Sequence, residues 1–292
     1  MKRAFLLDNS SFQYRAYHAS KERPTYTKEG VPNAAVNLYR TMIARLLKEW
    51  HPDYLAACCD SQAENFRVKL YPLYKATRLS PPEEYLRQLP GFRALLHAEF
   101  IPIIEKDGFE ADDIIGTLAA HIDGPVTIVS GDKDMAQLVT EDGRVTLLNT
   151  NTNRLLNADG VREVYGISPG EVVDYLAMVG DTSDNVPGAH GLGPKGAVAL
   201  LRRFGTLDEI IKRSGEIKEK GWRHAIEDNL PMLHLSRQLV KINTNVEGVY
   251  EVKRRPCSQT DAEVSEADKA NQRHQCIGQR SEQRTEQNQA GA

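Results

Sequence analysis

The sequence predicts an α/β domain with a mainly parallel sheet, followed by a helical region and an unstructured tail. Short apolar runs of strand length alternate with segments of helical periodicity over residues 1–167, a pattern typical of parallel sheets with crossover helices. Over residues 168–255 the pattern becomes helical and turn-rich. Over residues 256–292 large aliphatic side chains almost disappear. That tail buries too little apolar surface to fold, so we expect it to be disordered.

The predicted elements of the first region alternate between strand and helix. The helix at 35–50 has apolar residues at helical spacing, the helix at 81–98 begins at a Pro pair, and the helix at 110–122 has an acidic first turn. Strands are predicted at 4–7, 54–59, 100–104, 126–129 and 144–148, with a further helix at 133–139. In the second region, helices are predicted at 171–178, 195–204, 206–212, 222–229 and 231–241, and a strand at 246–252.

Composition excludes several classes of protein. No apolar run approaches the roughly 20 residues of a membrane-spanning helix, and the apolar run after Lys2-Arg3 ends at Asp8, too early for a signal peptide. We therefore expect a cytoplasmic protein. The four cysteines lack the spacing of a zinc site. The net charge of −3 argues weakly against nucleic-acid binding, but basic residues concentrate between Arg67 and Arg93, where a local surface could bind phosphate.

Acidic residues form the most informative pattern. Three of them, Asp8, Asp60 and Asp132, come just after predicted strands. The others open a helix or lie in turns: Glu110, Asp112, Asp113, Asp134, Asp181 and Asp184. Each alone could be a capping or turn residue. Together, at the carboxyl edge of a parallel sheet, they would repel one another and raise their pKa values unless cations neutralised them.

Oxygen ligands without accompanying His or Cys favour Mg²⁺ or Mn²⁺ over Zn²⁺. Two such ions about 4 Å apart stabilise the attacking and leaving oxygens of a phosphodiester displacement. The acidic pattern therefore predicts metal-dependent hydrolysis of a phosphodiester.

Five sequence blocks carry a family resemblance that extends over about residues 3–252. They lie at 7–19, 66–78, 108–113, 131–139 and 180–188. In these blocks the chain resembles the 5′-nuclease domain of bacterial DNA polymerase I, within the flap endonuclease family of PIN-like folds. The resemblance implies one metal site formed by Asp8, Asp60, Glu110, Asp112 and Asp113. It implies a second formed by Asp132, Asp134, Asp181 and Asp184, with Asp113 near both.

The basic segment at 66–98 has two interpretations. Its cationic residues Arg67, Lys69, Lys75 and Arg78 are interleaved with Phe66, Tyr71 and Tyr74. They could form a solvated helix face, or they could grip phosphate and stack on unpaired bases. The resemblance implies a mobile helical arch over the active site, with Arg67, Lys75 and Arg78 at the scissile phosphate and Tyr74 beside them. Arg15 is expected to face the substrate.

The glycine-rich stretch 188–197 also has two interpretations, an ordinary turn or a phosphate-binding hairpin. The resemblance implies a helix-hairpin-helix element that grips duplex DNA through Gly191, Gly193 and Lys195 and binds K⁺. Relatives usually carry Thr or Ser at the position of Gly196, so a hydroxyl contact to phosphate is expected to be missing.

These observations predict a 5′→3′ exonuclease and structure-specific 5′-flap endonuclease. Its expected substrates are DNA with 5′ flaps, nicks or 5′ ends and RNA–DNA hybrids, met during primer removal and repair. A monomer is expected, with a DNA polymerase or ligase as partner. The alternatives are a non-catalytic DNA-junction binding module and an RNA-processing nuclease of the same fold. The sequence leaves open whether the chain is a stand-alone enzyme or a domain of a larger one.

Overall fold

The computed structural model describes residues 2–249, and these residues build a six-stranded sheet in the order β3-β2-β1-β4-β5-β6. The strands are β1 (Ala4–Asp8), β2 (Tyr54–Cys58), β3 (Ile103–Ile104), β4 (Val126–Ser130), β5 (Val145–Asn149) and β6 (Arg154–Leu156). Neighbouring strands are parallel, except that β6 pairs antiparallel with β5 at the edge. The predicted fold class, a mainly parallel sheet with a helical region after it, is confirmed.

The order of the strands reverses beside β1. The chain proceeds from β1 through β2 to β3 on one side, and then returns to place β4 and β5 on the other. Ala4 accordingly pairs with Tyr54 of β2 and with Val126 of β4. Open parallel sheets bind ligands beyond the carboxyl ends of the strands at such a switch point. In this chain the carboxyl end of β1 is Asp8.

Both faces of the sheet are covered, because alternate side chains of a strand point to opposite faces. Phe5 and Leu7 of β1 pack with Tyr39 in one apolar cluster. Leu6 packs with Ile114 in a second cluster on the other face. A strand buried on both sides carries a continuous apolar run, and the stretch 4–7 has that composition.

Twelve α-helices occur within residues 2–249. The first six are α1 (Asn9–Ser20), α2 (Ala34–Trp50), α3 (Phe66–Leu70), α4 (Glu83–Leu86), α5 (Leu89–Ala98) and α6 (Ala111–His121). The rest are α7 (Ala158–Tyr165), α8 (Val172–Val179), α9 (Pro194–Phe204), α10 (Leu207–Lys212), α11 (Lys220–Glu227) and α12 (Leu230–Val240). The predicted helices at 35–50, 110–122 and 195–204 correspond to α2, α6 and α9 within one or two residues.

Several predicted elements differ from the structure. The helix at 81–98 is two helices, because Pro90 lacks an amide hydrogen and occupies the first turn of α5. The strand at 100–104 shrinks to β3, since Phe100 has a φ of +55° that extended backbone cannot contain. The helix at 133–139 is a 3₁₀ helix at Asp134–Leu138.

Other elements were not predicted or do not form. Helices α1 and α7 and the edge strand β6 had no prediction. The predicted strand at 246–252 does not form over 246–249, and its remaining residues and the tail lie outside the described part of the chain. Within residues 2–249, no helix combines the length and apolar character needed to cross a membrane.

Candidate metal centre

Asp8 and Asp132 flank the switch point of the sheet. Asp8 ends β1 and caps α1, and its Oδ1 accepts a hydrogen bond from the Ser11 amide at 3.1 Å. Its other oxygen accepts from the Ser130 hydroxyl at 2.6 Å. Ser130 ends β4, and its hydroxyl oxygen also accepts from the Asp132 amide at 3.0 Å. Ser130, for which the sequence predicted no role, therefore connects two predicted ligands.

The N-terminus of α6 supplies the next carboxylates. Glu110 is the N-cap residue and is buried, with 8 % of its surface exposed. Asp60, which follows β2, accepts a hydrogen bond from the Ala111 amide at 2.9 Å. Asp112, in the first turn of α6, accepts no hydrogen bond from any described residue. Acidic groups are favoured in this position by the partial positive charge of the helix N-terminus.

Two loops bring the remaining acidic residues to the same edge. Asp134 opens the 3₁₀ helix after β4, and its Oδ1 is buried with no hydrogen-bond partner among residues 2–249. Asp181 and Asp184 lie in a loop closed by glycines. A Cβ added at Gly180, where φ is +73°, would lie 2.5 Å from the Val186 carbonyl oxygen. Only glycine allows this approach.

The pKa values show that these carboxylates crowd one another. Burial raises the pKa of Asp8 to about 7, and the charges of Asp60 and Asp132 add to the rise. Burial and the neighbouring Asp132 raise the pKa of Asp134 to about 8. The pKa of Asp112 is raised well above its usual value by burial and then by Asp132, Asp8 and Glu110. Burial also raises the pKa of Asp132. Because carboxylates of both predicted metal sites raise one another's pKa values, we treat these residues as one acidic cluster.

Cationic side chains cover part of this cluster. The Lys75 ammonium pairs with Glu110 and lies 3.7 Å from an Asp184 oxygen. Arg78 pairs with Asp184. Lys133, another residue without a predicted role, pairs with Asp181 at 2.7 Å. Burial opposes ionisation of Glu110, but the charges of Lys75 and Arg67 outweigh it and lower the pKa of Glu110.

The segment that carries Lys75 is tied to the Asp184 loop through its backbone. The Lys75 amide donates to the Asp184 carbonyl at 2.8 Å, and the Asn185 side chain donates to the Leu73 carbonyl at 2.7 Å. The Tyr74 hydroxyl lies 3.1 Å from Glu110 and 3.3 Å from Asp184. Lys75 and Tyr74 are thus held against the acidic cluster.

Asp113 is separated from the cluster by its partners. It is fully buried, and both of its oxygens accept hydrogen bonds from Arg67, at 2.7 Å and 2.8 Å. The same oxygens accept from the amides of Glu110 and Asn243. Arg67 is 2 % exposed and also donates to the carbonyl oxygens of Leu239 and Lys241. In this arrangement Asp113 has no oxygen directed at a cation, and Arg67 has no donor directed at a phosphate.

The donor set fits a hard divalent cation. All eight remaining groups are carboxylates, one of them has a buried oxygen without a partner, and several are crowded enough to resist ionisation. Within residues 2–249, no three acidic, His or Cys side chains stand in position to coordinate one ion, and several of the oxygens are instead paired with Lys75, Arg78 and Lys133. A bound cation would replace these ion pairs.

Without divalent cations, the stability of the protein is expected to fall between about pH 5 and about pH 8. Asp8 and Asp134 have raised pKa values of about 7 and about 8, whereas unfolded carboxyls titrate near pH 4. Their protonation favours the folded state, and this contribution is lost as the pH rises through the folded values. The pKa values of Glu110 and Asp181 are lowered, so these two residues change the folding stability only at more acidic pH.

Urea unfolding in EDTA at both pH values measures this loss, and Mg²⁺ should remove most of it at the higher pH. Stability that rises with pH in EDTA would contradict the assignment of repelling carboxylates.

The residues predicted to bind DNA lie on α1, on α3 and around the start of α9. Arg15 is on the exposed face of α1 and donates to the Thr150 carbonyl. Lys69 is exposed on α3. Gly191 adopts a φ of +91° in the turn before α9, Gly193 is the N-cap of that helix, and Lys195 is exposed in its first turn. A turn followed by a helix is therefore present where the hairpin was predicted.

Gly196 is close to a tryptophan. A Cβ added there would lie 2.7 Å from a Leu192 methyl group and 3.1 Å from the Trp222 ring. This packing gives a local reason for glycine at the position where the sequence comparison expected a hydroxyl.

Two family models together match most of the chain. They are the 5′-3′ exonuclease N-terminal resolvase-like domain, at residues 3–166, and the 5′-3′ exonuclease C-terminal SAM fold, at residues 167–263. The 5′-3′ exonuclease of Aquifex aeolicus is 36% identical over 250 residues, which are 85% of this chain and 84% of that protein. DNA polymerase I of Rhizobium leguminosarum is 40% identical over 252 residues, which are 83% of this chain. The chain spans only 24% of that polymerase.

Solved structures share the fold. The T5 5′-exonuclease with bound zinc ions superposes with a TM-score of 0.68 at 22% identity, covering 83% of this chain and 90% of that one. The T5 D15 flap endonuclease in a pseudo-enzyme-product complex with DNA and metal ions gives a TM-score of 0.66, also at 22% identity and with the same coverage. At this level of identity the likeness concerns the fold.

Proposed function

Because the chain belongs to the 5′-3′ exonuclease family, we propose that it is a metal-dependent 5′→3′ exonuclease and structure-specific 5′-flap endonuclease acting on DNA. The observation that carries the proposal is the acidic cluster at the switch point of the sheet, bordered by Lys75 and Arg78. A group of carboxylates this large is suited to binding divalent metal ions, and the positively charged side chains beside it are suited to binding a phosphodiester.

The proposed metal ligands fall into two groups. Asp8, Asp60, Glu110 and Asp112 would hold one ion, and Asp132, Asp134, Asp181 and Asp184 would hold the second, partly through water. Mg²⁺ is the proposed ion and Mn²⁺ a substitute. When bound, such ions neutralise the developing charge of a phosphodiester displacement. Asp113 is assigned to the support of Arg67, since its oxygens already accept four hydrogen bonds.

Lys75 and Arg78 are proposed to bind the phosphate. They line a cleft of about 220 Å³ together with Asp60, Tyr74 and Glu110. Arg78 keeps half of its side chain exposed and Lys75 a quarter, at 51% and 25%. Both can therefore exchange a carboxylate partner for a phosphate oxygen without leaving the cleft. The preorganised positive charge would then stabilise the transition state.

The second half of the chain is proposed to grip duplex DNA. The turn containing Gly191 and Gly193 leads into the N-terminus of α9, where Lys195 is exposed. Backbone amides and a lysine in such a place bind phosphate without reading sequence. We also propose K⁺ as the ion of this hairpin. We propose residues 1–167 as the catalytic domain, to which the region that follows adds Asp181 and Asp184, and residues 168–255 as the region that binds the duplex.

Removal of RNA primers and repair flaps is the proposed biological task, with a DNA polymerase or ligase acting on the products. This task would apply equally to a stand-alone enzyme and to a domain of a larger polymerase.

Cleavage of a 5′-labelled flap duplex tests the proposal. We expect cutting near the single-strand/duplex junction in Mg²⁺, none in EDTA, and a loss of about a thousandfold in Asp132→Asn, because metal ions contribute several kcal/mol to such reactions. Structured RNA serves as the competing substrate. A protein that binds the flap but never cuts it in Mg²⁺ or Mn²⁺ would be a junction-binding module. Preferential cutting of the RNA would indicate an RNA-processing nuclease.

A further inference from the structure

A buried hydrogen-bonded chain of three side chains crosses the gap between the ends of β1 and β2. The Tyr39 hydroxyl of α2 donates to the Asn9 side-chain oxygen at 2.6 Å. The Asn9 amide nitrogen in turn donates to the Cys59 sulfur at 3.0 Å. The exposed fractions of Tyr39, Asn9 and Cys59 are 0%, 2% and 8%. We refer to these three residues as the Asn9 bridge.

The two ends of the bridge adjoin predicted metal ligands. Asn9 directly follows Asp8, and Cys59 directly precedes Asp60. The bridge therefore joins the neighbours of two carboxylates that belong to different strands. Tyr39 is held in turn by ring contacts with Phe12 and Phe92 in the core. Asn9 is therefore anchored, through Tyr39, to the packed interior of the protein.

The main chain provides no such connection at this point. The register of β1 with β2 ends at the pair Asp8 and Cys58. Beyond that pair the chain after β1 turns into α1, and the Cys59 amide donates to the Ile104 carbonyl on the far side of β2. The contact between Asn9 and Cys59 therefore holds together the residues next to Asp8 and Asp60, beyond the point where the strand pairing ends.

In the structure the Asn9 oxygen accepts from the Tyr39 hydroxyl and the Asn9 nitrogen donates to the Cys59 sulfur, so both ends of the amide have a partner. A buried amide that loses either partner keeps an unsatisfied polar atom, so the side chain would move to find another partner. That movement would carry the adjoining Asp8 with it.

We propose that the Asn9 bridge is a positioning element that sets the separation of the Asp8 and Asp60 carboxylates and thereby the affinity for the divalent cation. The inference rests on the proposed function, because it assumes that these two carboxylates share an ion. The three residues touch neither substrate nor metal and act only through their neighbours.

The test compares four variants of the full chain. Tyr39→Phe and Cys59→Ala each remove one bond of the bridge, whereas Cys59→Ser keeps a hydrogen-bond acceptor. Ile43→Val, on the same helix as Tyr39 and buried in the same cluster, is the control for a small loss of packing. Mn²⁺ binding to the DNA-free protein is followed by the loss of the free-ion EPR signal, and urea unfolding is followed in EDTA.

We expect Tyr39→Phe and Cys59→Ala to weaken Mn²⁺ binding about threefold to tenfold, below the range typical of groups that hydrogen-bond a ligand directly. Cys59→Ser and Ile43→Val should bind Mn²⁺ as the wild type does. The proposal is overturned if Tyr39→Phe binds Mn²⁺ with unchanged affinity, whatever the stability of this variant. If Cys59→Ala does not fold, the result for Tyr39→Phe alone is the test. An equal weakening in Ile43→Val also overturns it.

Cleavage of the flap duplex by the wild type separates this inference from the proposed function. A wild type that binds Mn²⁺ but does not cut DNA rejects the nuclease proposal and leaves the effect of the bridge on Mn²⁺ affinity measurable. A wild type that cuts DNA, together with variants of unchanged affinity, rejects only the bridge. A wild type that binds no Mn²⁺ rejects both.

Discussion

Replacing Asp112 with asparagine is expected to reduce Mg²⁺-dependent flap cleavage by about a thousandfold, or about 4 kcal/mol of transition-state stabilisation. Burial, and then the neighbouring Asp132, Asp8 and Glu110, raise the pKa of Asp112, and its carboxylate accepts no hydrogen bond from residues 2–249. No described residue uses this carboxylate as a hydrogen-bond acceptor, so it is free to bind a cation. The initial rate on a 5′-flap duplex under single-turnover conditions measures the effect.

The same substitution is expected to leave the unfolding midpoint in EDTA unchanged or slightly higher, because it removes one of several mutually repelling charges. Asp113→Asn is the matched control, since it makes the same chemical change at the next residue. There the loss should appear mainly as lower stability. If Asp112→Asn cuts DNA at the wild-type rate, Asp112 is not a ligand and the first metal site must be redrawn.

Replacing Arg67 with methionine is expected to lower the free energy of unfolding by about 3–5 kcal/mol, the cost typical of breaking a buried ion pair from one side. Asp113 is fully buried and would keep its charge without its partner. The carbonyl oxygens of Leu239 and Lys241 would lose their donor as well. Urea unfolding in EDTA measures the change without any contribution from the metal.

Two further variants distinguish a structural role of Arg67 from direct contact with the substrate. Arg67→Lys keeps the charge but loses the paired geometry, so it should be intermediate in stability. Arg67→Met combined with Asp113→Asn should regain part of the loss, because no buried charge then remains unpaired. A single variant with normal stability and strongly reduced cleavage would instead show that Arg67 reaches the substrate, as the sequence analysis expected.

Local sequence determined much of this protein. The apolar run 4–7 predicts a strand buried on both faces, and acidic residues that follow the strands of a parallel sheet meet at one edge. Asp8, Asp60 and Asp132 were placed in this way, and the structure has them there. Order and spacing along the chain suffice for such residues, because strand direction alone carries them to the same edge.

Other features depended on contacts between distant parts of the chain. Ser130 binds Asp8 across 122 residues, and Arg67 binds Asp113 across 46. Neither contact has a local signal. A carboxylate in the first turn of a helix looks the same in sequence whether it faces a cation or a buried guanidinium, and Asp112 and Asp113 are adjacent examples. Burial and hydrogen-bond partners distinguish the two carboxylates. Both depend on how α3 and the end of α12 pack against α6, which the local sequence does not show.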